Sequence, residues 1–106
     1  MQVVDLDRDT VKRGLDDGSM LLIDVREPNE YSAGHIPGSV SHPLSSFDPQ
    51  EVAALVAEDG RLPVFSCASG VRSVHALMAA QQAGVDITRH YKGGFKDWYG
   101  AGEAIA

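Results

Sequence analysis

The stretch LPVFSCASGVRSVHALM, residues 62–78, reads as three pieces in succession. LPVFS is an apolar run too short for a helix, as expected of a strand buried on both faces. CASG is a tight turn of small residues. VRSVHALM then carries helical spacing, with Val74, Leu77, Met78 and Gln81 on the expected inner face and a stop at Gly84. Strand, turn and helix make half of a βαβ unit. A second apolar run, MLLID at residues 20–24, supplies a parallel neighbour.

The same alternation extends outward in both directions. Val3 and Val4 begin a short strand, and Asp7 offers an N-cap to a helix carrying Val11 and Leu15, with Gly18 at its end. EPNEYSAG reads as a helical turn stopping at Gly34, HIPGS as turn chemistry, and Val40 as part of another short strand. Asp48-Pro49 opens a helix bearing Val52, Leu55 and Val56, which Gly60 closes. VDITRHY is a final strand and GGFKDWYGAG a glycine-framed turn or helix. Strands alternating with helices predict an α/β fold, a parallel sheet covered on both faces, in one domain over residues 1–106. In such sheets ligands sit beyond the carboxyl ends of strands, which is where Cys67 falls.

Composition narrows the function classes. The 106 residues are 43% hydrophobic and 23% charged, the balance of a globular chain able to hide about 65% of its unfolded surface. The single cysteine excludes an internal disulfide, and the four histidines show no paired ligand spacing, so no metal site is expected. No run approaches the ~18 apolar residues of a membrane helix, and MQVVDLDRD lacks the basic start of a signal peptide, so the cytoplasm is the expected location. A net charge of −6 without a basic block argues against nucleic acid. Anion chemistry in such a chain must rest on local donors rather than on a long-range field.

A lone cysteine between a buried strand and a helix is either a small buried hydrophobe or a nucleophile. Three features favour the nucleophile. The following helix aims its free N–H groups at the loop. Ala68, Ser69 and Gly70 are small, and Gly70 can take a positive φ, so successive N–H groups can converge on an anion. Arg72 adds a fixed charge and a fork of donors, and Ser73 a hydroxyl at the helix start. An unperturbed thiol, with a pKa of about 8.5, is only ~3% ionised at pH 7, so these devices matter. No general base is evident; His75, three residues beyond Arg72, is expected to face away.

Three segments, in order, carry a resemblance. LLIDVREPNEYSAGHIPGSV, residues 21–40, resembles the signature near the start of rhodanese domains. CASGVRS, residues 67–73, resembles their active-site loop, and YKGGFKDWYGAG, residues 91–102, their C-terminal motif. The resemblance implies a five-stranded parallel sheet flanked by helices on both faces, and a sulfurtransferase that needs no cofactor. It makes Cys67 the carrier of a sulfane sulfur and Ala68, Ser69, Gly70, Val71, Arg72 and Ser73 the residues binding the substrate anion. The implied partners are a small anionic donor such as thiosulfate and a thiophilic acceptor: cyanide, a small thiol or a sulfur-accepting protein. Many rhodaneses that favour thiosulfate have cationic or larger polar residues after the cysteine. Ala68 and Ser69 are small and neutral, which leaves mercaptopyruvate, glutathione persulfide or a protein persulfide open as donors. Related phosphatases and arsenate reductases use a loop one residue longer, whereas Cys67 and Arg72 enclose four residues. Asp24, Arg26, Glu27 and Glu30 read as ion pairs and caps holding the bordering loops, His35 as a turn-fixing hydrogen bonder, and Phe95 and Trp98 as packing.

Overall fold

Period-two alternation in the two central strands sorts the core into two layers. In the computed structural model, which describes residues 1–106, β2 (Met20–Asp24) pairs in parallel with β4 (Leu62–Ser66) from Met20↔Leu62 to Asp24↔Ser66. Three shorter strands, β1 (Val4–Leu6), β3 (Val40–Ser41) and β5 (Arg89–Tyr91), complete a parallel sheet in the order β1-β5-β4-β2-β3. The helices are α1 (Arg8–Asp16), α2 (Pro28–Ala33), α3 (Pro49–Asp59), α4 (Val71–Gln82) and α5 (Gly94–Gly100), with a 3-10 turn at Leu44–Ser46.

Leu21, Ile23 and Phe65 point to one face, where they meet Val52 of α3 and Ala76, Leu77 and Ala80 of α4. Met20, Leu22, Val64 and Tyr91 point to the other, against Val11 of α1 and Trp98 of α5. Covering both faces is what makes every residue of β2 buried and its first four residues, Met20 to Ile23, apolar. Asp7 caps α1 by accepting from the Thr10 N–H at 2.9 Å, and Asp48 caps α3 through the Gln50 N–H at 2.9 Å. No helix is long and apolar enough to cross a membrane.

Two elements differ from the sequence expectation. The last strand pairs only at Arg89–Tyr91, although Ile87 is 1% exposed. Upstream of it the Val85 N–H turns back to the Ala80 carbonyl at 2.9 Å, so the apolar alternation there records burial without pairing. The inner face of α4 is Ser73, Ala76, Leu77 and Ala80, not the larger Val74 and Met78; Met78 is 42% exposed. Small residues let the helix lie close to the sheet, and that rotation turns Ser73 toward the end of β4.

The end of β2 is held by a buried ion pair. Arg26 Nη2 lies 2.8 Å from Asp24 Oδ2, and the two side chains are 5% and 6% exposed. The same nitrogen donates to the Gly34 carbonyl at 2.8 Å, and the guanidinium lies 4.2 Å from the Phe95 ring centroid. One side chain thereby ties β2 to the end of α2 and to α5. Truncation would strand the Asp24 carboxylate, a cost of about 3–5 kcal/mol. Urea unfolding of Arg26→Ala should show that loss. Arg61→Ala, which breaks a partly exposed pair with Asp59 and a 3.2 Å bond to the Met20 carbonyl, should shift the unfolding midpoint far less.

Candidate active site

β4 ends by delivering Cys67 into a loop whose shape is set from outside. The Cys67 and Ala68 carbonyls accept from the Phe95 and Lys96 N–H groups at 2.8 and 3.0 Å, so the start of α5 holds them outward. Gly94, at φ +66°, lies so close that an added Cβ would sit 2.5 Å from the Cys67 oxygen. Gly70, at φ +89°, allows the turn into α4, where a Cβ would meet the Lys92 carbonyl at 2.5 Å. With the carbonyls directed away, the Gly70 N–H faces inward and donates to Cys67 Sγ at 3.1 Å. The first N–H groups of α4, those of Val71, Arg72 and Ser73, have no intrahelical acceptor.

Cys67 is 2% exposed and packs with the core, as an inert cysteine would. Its sulfur is nevertheless hydrogen-bonded, donating to Ser73 Oγ at 3.5 Å while accepting from Gly70. Burial pushes the thiol pKa up. The Ser73 hydroxyl together with the Ser73, Ser69 and Gly70 N–H groups outweighs it and leaves the thiol below its ordinary value. The group is buried and activated at once.

Of the residues expected around Cys67, Ser73 and Gly70 touch its sulfur. Ser69 and Val71 form an exposed rim, Val71 being 61% exposed. Arg72 departs from expectation. Its two terminal nitrogens bond both oxygens of Glu30, at 2.6 and 3.1 Å, so its fork is engaged instead of open to an anion. Glu30 also accepts from the Glu27 N–H at 3.0 Å as half of a capping box for α2. His75 is exposed, as expected. His35 Nδ1 lies 2.9 Å from the Tyr31 carbonyl, and its ring stacks on Tyr31 at 3.8 Å, fixing the turn. Trp98 is 5% exposed and donates to the Ala104 carbonyl at 2.7 Å, a packing role.

Sequence reasoning missed Asp5 and His90. Ser73 Oγ lies 2.7 Å from His90 Nδ1, and His90 Nε2 lies 2.7 Å from Asp5 Oδ1. The available signal was a histidine inside the last expected strand, VDITRHY, since a buried polar ring needs partners. Asp5 also lines a cleft of about 670 Å³ with Arg8, Lys92 and Asp97; the cleft reaches the loop at Ser69, and Cys67 is not on its wall.

With this geometry the family can be stated. The rhodanese-like domain family matches residues 7–101, and the chain belongs to it. A thiosulfate:glutathione sulfurtransferase of Saccharomyces cerevisiae is 35% identical over 99 residues, covering 84% of this chain and 71% of that protein. Two other curated relatives are longer, and the chain spans less than half of each. The structure of the human single-domain sulfurtransferase TSTD1 superimposes with a TM-score of 0.70 at 30% identity, over 94% of this chain and 96% of that one. A Rhodopseudomonas palustris protein described as a possible tyrosine phosphatase superimposes with a TM-score of 0.79 at 29% identity, over 98% and 85%. The sulfurtransferases among these relatives support a transferase role that moves sulfur.

The Glu30–Arg72 pair has a pH signature. The Arg72 guanidinium, bonded to both oxygens, is the main cause that holds the Glu30 carboxyl down to about 2 from an ordinary 4.5. A carboxyl depressed in the folded state stabilises fully above its unfolded value and loses that contribution as pH falls through the folded one. The gap in urea midpoint between wild type and Arg72→Ala should be widest above about pH 5 and close toward about pH 2. A gap independent of pH would mean that Arg72 supports the fold through packing alone.

Proposed function

We propose that Cys67 carries a sulfane sulfur, as a persulfide, from thiosulfate or a related small anionic donor to cyanide, a thiol or a sulfur-accepting protein. The observation that carries this reading is the lowered, buried thiol with the Gly70 N–H and the Ser73 N–H of α4 on its sulfur. The Cys67 thiolate attacks the outer sulfur of thiosulfate, a new S–S bond forms, the old one breaks, and sulfite leaves with its electron pair. Charge balances at three negatives on each side. The terminal sulfur of Cys67–S–S⁻ then goes to the acceptor's lone pair, and the thiolate returns. No redox or metal cofactor enters these steps.

The residues around the sulfur have clear tasks in this scheme. The N–H groups of the loop stabilise the persulfide anion, which sits one bond length farther out than the thiolate. Arg72 contributes charge at the rim, but with its fork bonded to Glu30 it offers an incoming donor less than a free guanidinium would. The yeast relative bears glutathione in its name, which supports a small thiol as acceptor.

The relative described as a possible tyrosine phosphatase favours a second reading, phosphate-ester hydrolysis through the same cysteine. Two features oppose it. The ring from Cys67 to Arg72 encloses only four residues, and a transferring phosphoryl group needs donors for three equatorial oxygens. The guanidinium that would clamp those oxygens is bonded to Glu30.

Intact mass after thiosulfate treatment should gain one sulfur, about 32 Da on the single nucleophilic thiol, removable by cyanide or dithiothreitol. Cys67→Ser should gain nothing and turn nothing over. The wild type, assayed beside it, should not hydrolyse p-nitrophenyl phosphate. Phosphate-ester hydrolysis with no sulfur adduct would transfer the chain to the phosphatase reading.

A further inference from the structure

The side-chain partner of Cys67 leads away from the loop into the sheet. Ser73 Oγ is 3.5 Å from the sulfur and 2.7 Å from His90 Nδ1, and His90 Nε2 is 2.7 Å from Asp5 Oδ1. Ser73 and His90 are 0% and 2% exposed. The Asp5 side chain is 51% exposed and lines the cleft beside β1 and β5. Sheet register places Asp5 opposite His90, so the alignment is built into the fold. A line of four groups connects a thiol sealed from water to a carboxylate in contact with it.

The hydrogen-bond directions along this line are coupled. A carboxylate only accepts, so His90 Nε2 carries a hydrogen. In the neutral imidazole Nδ1 is then an acceptor and takes the Ser73 hydroxyl hydrogen. The Ser73 oxygen, facing the sulfur with lone pairs, accepts from a thiol and has nothing to donate to a thiolate. When the sulfur is a thiolate, Ser73 turns its hydrogen to it, and Nδ1 keeps its bond only by carrying a hydrogen itself. Thiol with neutral imidazole, and thiolate with imidazolium, are the two states that satisfy every bond.

We propose that Ser73, His90 and Asp5 form a proton relay that ionises Cys67. The S–H bond breaks as its proton passes to Ser73 Oγ, the Ser73 hydrogen passes to His90 Nδ1, and Asp5 holds the imidazolium. No net charge enters or leaves, and the reverse move restores the resting thiol. Ser73 touches the reacting sulfur; His90 and Asp5 act through it, as positioning residues. The other charged groups near the line are already paired or sit at its outer end. Arg72 of α4 is bonded to Glu30 of α2, Asp24 at the end of β2 is bonded to Arg26, and Lys92 lies 3.8 Å from the second Asp5 oxygen.

This inference deepens the sulfur-carrier reading and rests on it for its purpose, but its test needs no sulfur substrate. Alkylation of Cys67 by iodoacetamide, followed by intact mass across pH, reads thiolate formation directly. His90→Gln keeps a hydrogen-bonding group at the position and takes no proton there. It should move the alkylation profile up by about one pH unit, roughly tenfold slower on the rising limb. Ser73→Ala should do the same. Asp5→Asn, at an exposed position, should move it in the same direction by a smaller amount, roughly threefold in rate. Folded Asp5→Asn whose profile superimposes on the wild type overturns the relay, whatever becomes of His90→Gln. Absence of a thiosulfate adduct in the wild type, with these shifts present, would instead remove the sulfur-carrier reading and leave the relay standing.

Discussion

The cysteine-loop end of the sheet depends on where two carbonyl groups point. A loop that turns N–H groups toward a sulfur anion must turn carbonyls the other way, and buried carbonyls need donors of their own. Those of Cys67 and Ala68 find them at the start of α5, where the Phe95 and Lys96 N–H groups have no partner within the helix. The approach is so close that residue 94 has no room for a Cβ. Gly70 meets the same limit against the Lys92 carbonyl. The cysteine loop and the glycine pair of the C-terminal segment are therefore one device written in two places along the chain. Either glycine, replaced by alanine, would force backbone apart and scatter the donors.

This device explains how a chain of net charge −6 prepares an anion. The two guanidinium groups nearest the site are each bonded to a carboxylate, Arg72 to Glu30 and Arg26 to Asp24. Neither presents an open fork. The thiol is lowered by oriented N–H groups and a hydroxyl, which outweigh the burial that opposes them. Such dipoles act over short range and through fixed geometry. The ion pairs do mechanical work instead. Glu30–Arg72 ties α2 to the first turn of α4, and Asp24–Arg26 locks the end of β2 beneath α5.

Much of this was legible in the sequence because it is local. Continuous apolar strands, Asp7 and Asp48 as caps, and glycine at the end of α3 each follow from neighbours a few residues away. The cysteine loop was legible for the same reason. The structural reading of Asp24, Arg26 and His35 also held, since their partners lie within a short span. What escaped depends on contacts across the fold. Arg72 and Glu30 are 42 residues apart, and His90 and Asp5 are 85 apart. Periodicity also misjudged the rotation of α4, because it weighs large apolar residues, whereas close packing on the sheet selected alanines and Ser73.

That rotation has a chemical consequence. Had Val74 and Met78 faced the sheet, Ser73 would lie off the sulfur and the buried imidazole of His90 would lack its second partner. Small residues at positions 76 and 80 bring α4 close enough for one hydroxyl to bridge β4 and β5. The bridge then resolves a conflict in burying a nucleophile. Exclusion of water strengthens the N–H groups that hold the sulfur anion, yet it also removes the water that would take the thiol's proton. Ser69 and Val71 form the exposed rim of the cysteine loop. In the proposed relay the proton stops inside the sheet on His90, held there by Asp5, and does not pass through that rim. A dry cradle and a titratable thiol are compatible in this fold because β5 supplies a proton acceptor from behind.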